Sequence, residues 1–107
     1  MNYGLSSADL EAIIEVFKNT PEVEEVILFG SRAKGNYQVG SDIDLVVKGE
    51  QLSFDKYLQL LVLLEELDLL YHIDVIKYNT IKNKELLDHI RRIGIPIYQR
   101  DHEQELN

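Results

Sequence analysis

Apolar positions recur along this chain in two alternating rhythms, one of helical spacing and one of strand-like runs, and the boundaries between them are well marked. Ser6-Ser7-Ala8-Asp9 resembles a capping box, and Leu10, Ile13, Ile14 and Phe17 follow at helical spacing, predicting a helix that stops near Asn19-Thr20-Pro21. Val23 to Phe29 contains the β-branched pair Val26-Ile27 and predicts a strand closed by Gly30. Residues 31–36 are short and polar, suited to one helical turn and a loop. A second strand is predicted over Asp42 to Val47, ending at Gly49.

Ser53 is placed to cap a long helix from Phe54 to about Leu67. Tyr71 to Tyr78, with Ile73, Val75 and Ile76, predicts a third strand. Asn83 caps a further helix through Arg92, stopped by Gly94, and residues 96–98 suit a short edge strand. Helices and strands in this order predict an α/β or α+β domain, a sheet with helices packed on it. Residues 1–100 are expected to form one domain, and residues 101–107 a polar tail.

The helix from Phe54 is more apolar than one buried stripe requires. Leu58, Leu61, Val62 and Leu64 would suffice, yet Tyr57, Leu60, Leu63 and Leu67 are apolar too. Either it lies deep in the domain, or residues 54–67 present a second face to another copy or another protein.

Composition narrows the classes. At 107 residues the chain has the common size of one domain, and its lack of Cys fits a reducing, cytoplasmic setting and excludes thiolate metal sites. The longest apolar run, Leu60 to Leu64, is far short of the roughly 20 residues that span a bilayer. A net charge of −8 argues against direct nucleic-acid binding, which depends on Lys and Arg against phosphate. It does not exclude a phosphorylated small ligand, because divalent cations bridge carboxylates to phosphates.

The candidate chemistry is a spaced pattern: Gly30-Ser31, ten residues, then Asp42-x-Asp44. At roughly 5–7% usage per residue, four fixed positions match by chance on the order of 10⁻³ times in such a chain. Strand side chains alternate faces, so Asp42 and Asp44 point the same way, and close carboxylates repel unless a proton or cation stands between them. Magnesium is the natural cation, since it shares its octahedron readily with phosphate oxygens. Asp74, between β-branched neighbours, completes a three-carboxylate cluster if its strand pairs beside that of Asp44; Asp68, at a helix end, is the competing candidate. His72 shares a strand face with Asp74 by period two. Gly30 lets a phosphate approach the backbone, the N–H groups that follow can hold an anion, and the Ser31 hydroxyl adds a donor. Arg32 and Lys34 lie beside this loop and could neutralise a triphosphate. No Walker loop and no G-x-G-x-x-G occurs.

Leu28-Phe29-Gly30-Ser31-Arg32-Ala33-Lys34-Gly35 with Ser41-Asp42-Ile43-Asp44-Leu45 resembles the minimal nucleotidyltransferases of the DNA polymerase beta superfamily. The resemblance extends through Asp74. It implies a mixed sheet flanked by helices, a nucleoside triphosphate with ATP favoured, and two magnesium ions. Carried over by position, Gly30 and Ser31 would hold the phosphates, Asp42 and Asp44 would ligate both metals, and Asp74 would ligate one. It also implies a small helical HEPN-type protein as partner, a toxin to which the enzyme transfers AMP, so acting as antitoxin. Two other readings stay open: a non-catalytic nucleotide-binding module that masks its partner by contact, and a transferase for a small molecule such as an antibiotic.

Overall fold

The computed structural model describes residues 2–100; the expected tail at 101–107 lies outside them. Helix α1 spans Ser7–Lys18, strand β1 Glu25–Phe29, helix α2 Gly30–Lys34 and strand β2 Ile43–Lys48. Helix α3 spans Phe54–Glu65, strand β3 Ile73–Lys77, helix α4 Lys84–Ile93 and strand β4 Ile95–Gln99. Side-chain oxygens cap three helix starts. Ser6 accepts from the Asp9 N–H at 3.0 Å, Ser53 from Lys56 at 3.2 Å, and Asn83 from Glu85 at 2.8 Å. Each satisfies a backbone donor that the first helical turn cannot.

The strands form one mixed sheet in the order β3-β2-β1-β4. β1 runs antiparallel to both β2 and β4, and β2 runs parallel to β3. β4 is an edge, which is where a strand containing Pro96 can lie without losing a ladder bond. Alternation splits the sheet into two buried faces. Val26, Leu28, Ile43, Leu45, Val47 and Val75 pack with Ile13 and Phe17 of α1 and Leu60 and Leu64 of α3. Ile27, Phe29 and Val46 pack on the other face against Ile90 of α4. This is the mixed sheet flanked by helices that the pattern and the resemblance implied.

Several boundaries differ for local reasons. β1 starts at Glu25, not Val23, because the Val23 N–H closes a turn onto the Thr20 carbonyl at 3.0 Å. α3 ends at Glu65: the N–H groups of Leu67 and Asp68 reach back only three residues, and Asp68 then turns left-handed with φ 53°. A short 3₁₀ turn at Tyr78–Thr80 was not foreseen. The buried stripe of α3 is not the expected one: Leu58 and Val62 are exposed together with Phe54 and Leu63, while Leu60 is buried beside Leu64, so that helix is not enclosed. Among the described residues no helix is long and apolar enough to cross a membrane.

Candidate active site

β1 delivers the chain to the site at Phe29, which lies opposite Asp44 of β2 in the antiparallel register. Gly30 follows with φ +74°, a conformation that side chains resist. A Cβ at Gly30 would also overlap Oδ2 of Asp44. Both backbone angle and space therefore require glycine here, and the absent side chain leaves the backbone of Gly30 and Ser31 beside the Asp44 carboxylate.

The carboxylates are ordered by the sheet. Asp44 and Asp74 are direct partners in the parallel β2–β3 register. Their neighbours Leu45 and Val75 belong to the α1–α3 side, so Asp44 and Asp74 share the opposite face, the one α4 covers. Asp42 stands just before β2, exposed, and its charge is felt at Asp44. Asp68 follows the end of α3, off the ladder.

Asp44 is the electrostatic centre. Burial first, then the charge of Asp74, then that of Asp42 push its carboxyl upward from its ordinary value, while His72 and His89 pull it down. Among the described residues no three such side chains converge to ion-holding distance; Asp44 and Asp74 share a side of the sheet, and Asp42 stands off the start of β2. The donor set nevertheless suits a hard cation. A half-buried carboxylate penalised by two like charges is short of positive charge, and oxygen ligands are what magnesium takes. His89 of α4 meets the Phe29 ring edge-on, centroids 6.3 Å apart.

The two cations of the loop separate. Lys34 is exposed at the end of α2. Arg32 is only 2% exposed. Its Nε and Nη2 donate to the Ser41 carbonyl at 3.2 and 2.8 Å, and its Nη1 to the Tyr3 carbonyl at 2.9 Å. The Tyr71 and Tyr37 rings lie 4.8 and 5.3 Å from the guanidinium. The expectation that Arg32 reaches a triphosphate therefore meets a guanidinium already engaged, holding the residue directly before Asp42.

Sequence reasoning missed Tyr57, treated only as one more apolar residue of α3. Its hydroxyl donates to the Val75 carbonyl at 2.6 Å. Burial first and Asp74 second push that hydroxyl up from the ordinary phenol value. A polar tip on an otherwise apolar helix face was the available signal.

The sequence matches the family described as "Polymerase beta, Nucleotidyltransferase" over residues 11–103. No curated protein sequence matches the chain significantly. Among solved structures it resembles a toxin–antitoxin with AMP-PNP, at 23% identity and TM-score 0.67, covering 91% of this chain and 78% of that one. A Shewanella oneidensis structure, a tri-AMPylated HEPN toxin in complex with MNT antitoxin, matches at 21% identity and TM-score 0.64, over 95% and 79% of the two chains. A putative nucleotidyltransferase from Sulfolobus solfataricus matches at 21% identity and TM-score 0.52, over 91% and 92%.

Proposed function

Because the chain belongs to the polymerase beta nucleotidyltransferase family, we propose that it binds magnesium and ATP and transfers AMP to a hydroxyl of a HEPN-type toxin, so acting as that toxin's antitoxin. The observation that carries this reading is the pairing of Asp44 with Asp74 on one sheet face, against a glycine that no side chain can replace. The likeness to the toxin–antitoxin structures supports the choice of acceptor. A cysteine-free chain suits the reducing cytoplasm, where such a pair would act.

In this reading Gly30 and Ser31 hold phosphates through backbone N–H groups and the Ser31 hydroxyl, and Lys34 supplies the mobile positive charge. Asp42, Asp44 and Asp74 would hold the magnesium ions. Magnesium, when bound, neutralises the triphosphate and stabilises the entering and departing oxygens. The acceptor oxygen forms a bond to the α-phosphorus while the bond from that phosphorus to the bridging oxygen breaks. Pyrophosphate leaves with the electron pair, and the hydroxyl proton passes to Asp74. Arg32 touches none of the reacting atoms; it is a positioning residue, fixing the Ser41 carbonyl and hence Asp42.

Weighing the intact helical partner after incubation with the protein and Mg-ATP tests the reading. One or more added AMP units, lost with Asp42→Asn, are expected. A second reading, masking by contact alone, is favoured by the exposed Phe54, Leu58 and Val62, one side of α3 at four-residue spacing. An unchanged partner mass with the partner's activity still suppressed selects it.

A further inference from the structure

His89 stands on α4 among residues that otherwise serve the core. Leu86, one turn before it, and Ile90, next to it, pack with Ile27, Phe29 and Val46 of the sheet. We propose that His89 is a phosphate contact, its imidazole donating an N–H to the polyphosphate tail of the nucleotide held at Gly30 and Ser31. The proposal rests on the nucleotide-binding reading and adds to it a residue from α4, an element so far assigned only to packing.

Position is the first argument. The His89 ring meets that of Phe29 edge-on, centroids 6.3 Å apart. Phe29 directly precedes Gly30 and pairs with Asp44 across the β1–β2 ladder. Its side chain lies on the face that α4 covers, which Asp44 and Asp74 share. His89 therefore stands beside the point where the Gly30 turn meets the paired carboxylates, and on their side of the sheet. α4 also packs against α2, which carries that turn. Burial raises the Asp44 carboxyl, and His72 and His89 act against that rise, so the charge of the imidazole reaches the site.

Donor supply is the second. A triphosphate brings further negative charge to a face that already holds Asp44 and Asp74, and its oxygens call for donors as well as magnesium. Arg32 is committed to the Ser41 and Tyr3 carbonyls. Arg92, further along α4, is bound to Asp88 at 2.8 Å. Lys34 is exposed at the far end of α2. His89 is half-buried, so a hydrogen bond from it would be partly sheltered from competing water. Packing alone does not call for histidine here. An apolar or aromatic ring would cover Phe29 as well, without a polar atom to satisfy.

The probes are pyrophosphate, which presents the tail without base or ribose, and AMP, which lacks the tail. Each is titrated with magnesium into the full chain by calorimetry, and the imidazole signals of the parent are followed by NMR at fixed pH. Pyrophosphate is expected to move the His89 signals, and AMP to move them less. His89→Phe keeps a ring against Phe29 and removes the donor; His89→Gln removes the ring and keeps an N–H. The phenylalanine variant should melt like the parent yet bind pyrophosphate about tenfold more weakly, the usual worth of a hydrogen bond to a charged group. Glutamine should recover part of that affinity. A residue that only packs would show the reverse, with melting lowered by glutamine and pyrophosphate binding untouched by phenylalanine.

Equal pyrophosphate affinity in the parent and the phenylalanine variant overturns the proposal. So do His89 signals that stay still while pyrophosphate saturates the parent, a result that needs no variant to fold. Either outcome sinks His89 alone and leaves nucleotide binding standing. A parent that binds neither pyrophosphate nor AMP-PNP in the presence of magnesium sinks the nucleotide reading, and the phosphate contact with it.

Discussion

Gly30 and Asp44 occupy one another's space: the hydrogen that replaces a side chain at position 30 is what leaves room for the Asp44 carboxylate. Gly30→Ala meets both a positive φ and this overlap, so it should destabilise the fold by about 1–3 kcal/mol, the usual cost of a strained non-glycine backbone. Urea denaturation reads the loss. Mg-ATP should also cease to protect the variant; an alanine variant as stable and as well protected as the parent would refute the packing.

Magnesium with ATP should raise the melting temperature by mass action. Saturation at about 100-fold over Kd is worth roughly 2.7 kcal/mol, on the order of 10 °C for a domain this size. Asp44→Asn should abolish the increment without lowering the melting temperature of the ligand-free protein, since it removes a repelled charge. The same increment in an Asp42→Asn/Asp44→Asn double variant would show that the metal assignment is wrong.

The pH dependence follows from the direction of the Asp44 shift. Its folded carboxyl titrates above its unfolded value, chiefly through burial and then through Asp74 and Asp42. A group raised in this way stabilises the fold while protonated. That contribution is complete below the unfolded value and disappears as pH climbs through the raised folded value. Without magnesium, wild type should therefore gain stability on acidification across that window relative to Asp44→Asn, and magnesium should flatten the difference by taking the proton's place. Parallel pH profiles for the two proteins would exclude the mechanism.

Arg32→Lys should fail to substitute for the parent residue. Lysine keeps the charge but cannot hold the Ser41 carbonyl with two donors while bonding Tyr3 and lying between two tyrosine rings. A loss of about 2–3 kcal/mol is expected from these charged hydrogen bonds. Because the anchor lies next to Asp42, magnesium affinity measured on the folded protein should fall as well. A lysine variant with wild-type stability and metal affinity would show that the fork is dispensable.

Local physics was the legible part of this sequence. Ser6, Ser53 and Asn83 announce helix starts because capping needs only neighbours three residues away. The parity expected of Asp42 and Asp44 assumed one continuous strand, whereas Asp42 stands just before β2. That Asp74 joins Asp44 depended on which strands pair, a choice settled by packing of both sheet faces and not by either strand alone. Arg32 could not be read correctly from its position beside the phosphate loop, since its acceptors lie 29 residues before it and nine after. Tyr57 was hidden for the same reason: its partner is a backbone carbonyl on another element. The apolar surplus of α3 was legible, but not which of its sides the fold would cover.

The bond from Arg32 to the Tyr3 carbonyl ties the opening of the chain to its most demanding residues. A side chain at Gly4, whose φ is +81°, would overlap both Arg32 and Tyr37, so the turn around it is fitted to that anchor. Residues 2–5 close a turn, the Leu5 N–H donating to the Asn2 carbonyl at 2.9 Å. In the folded protein they are a brace under Asp42, and tampering with them would be felt at the far end of the loop.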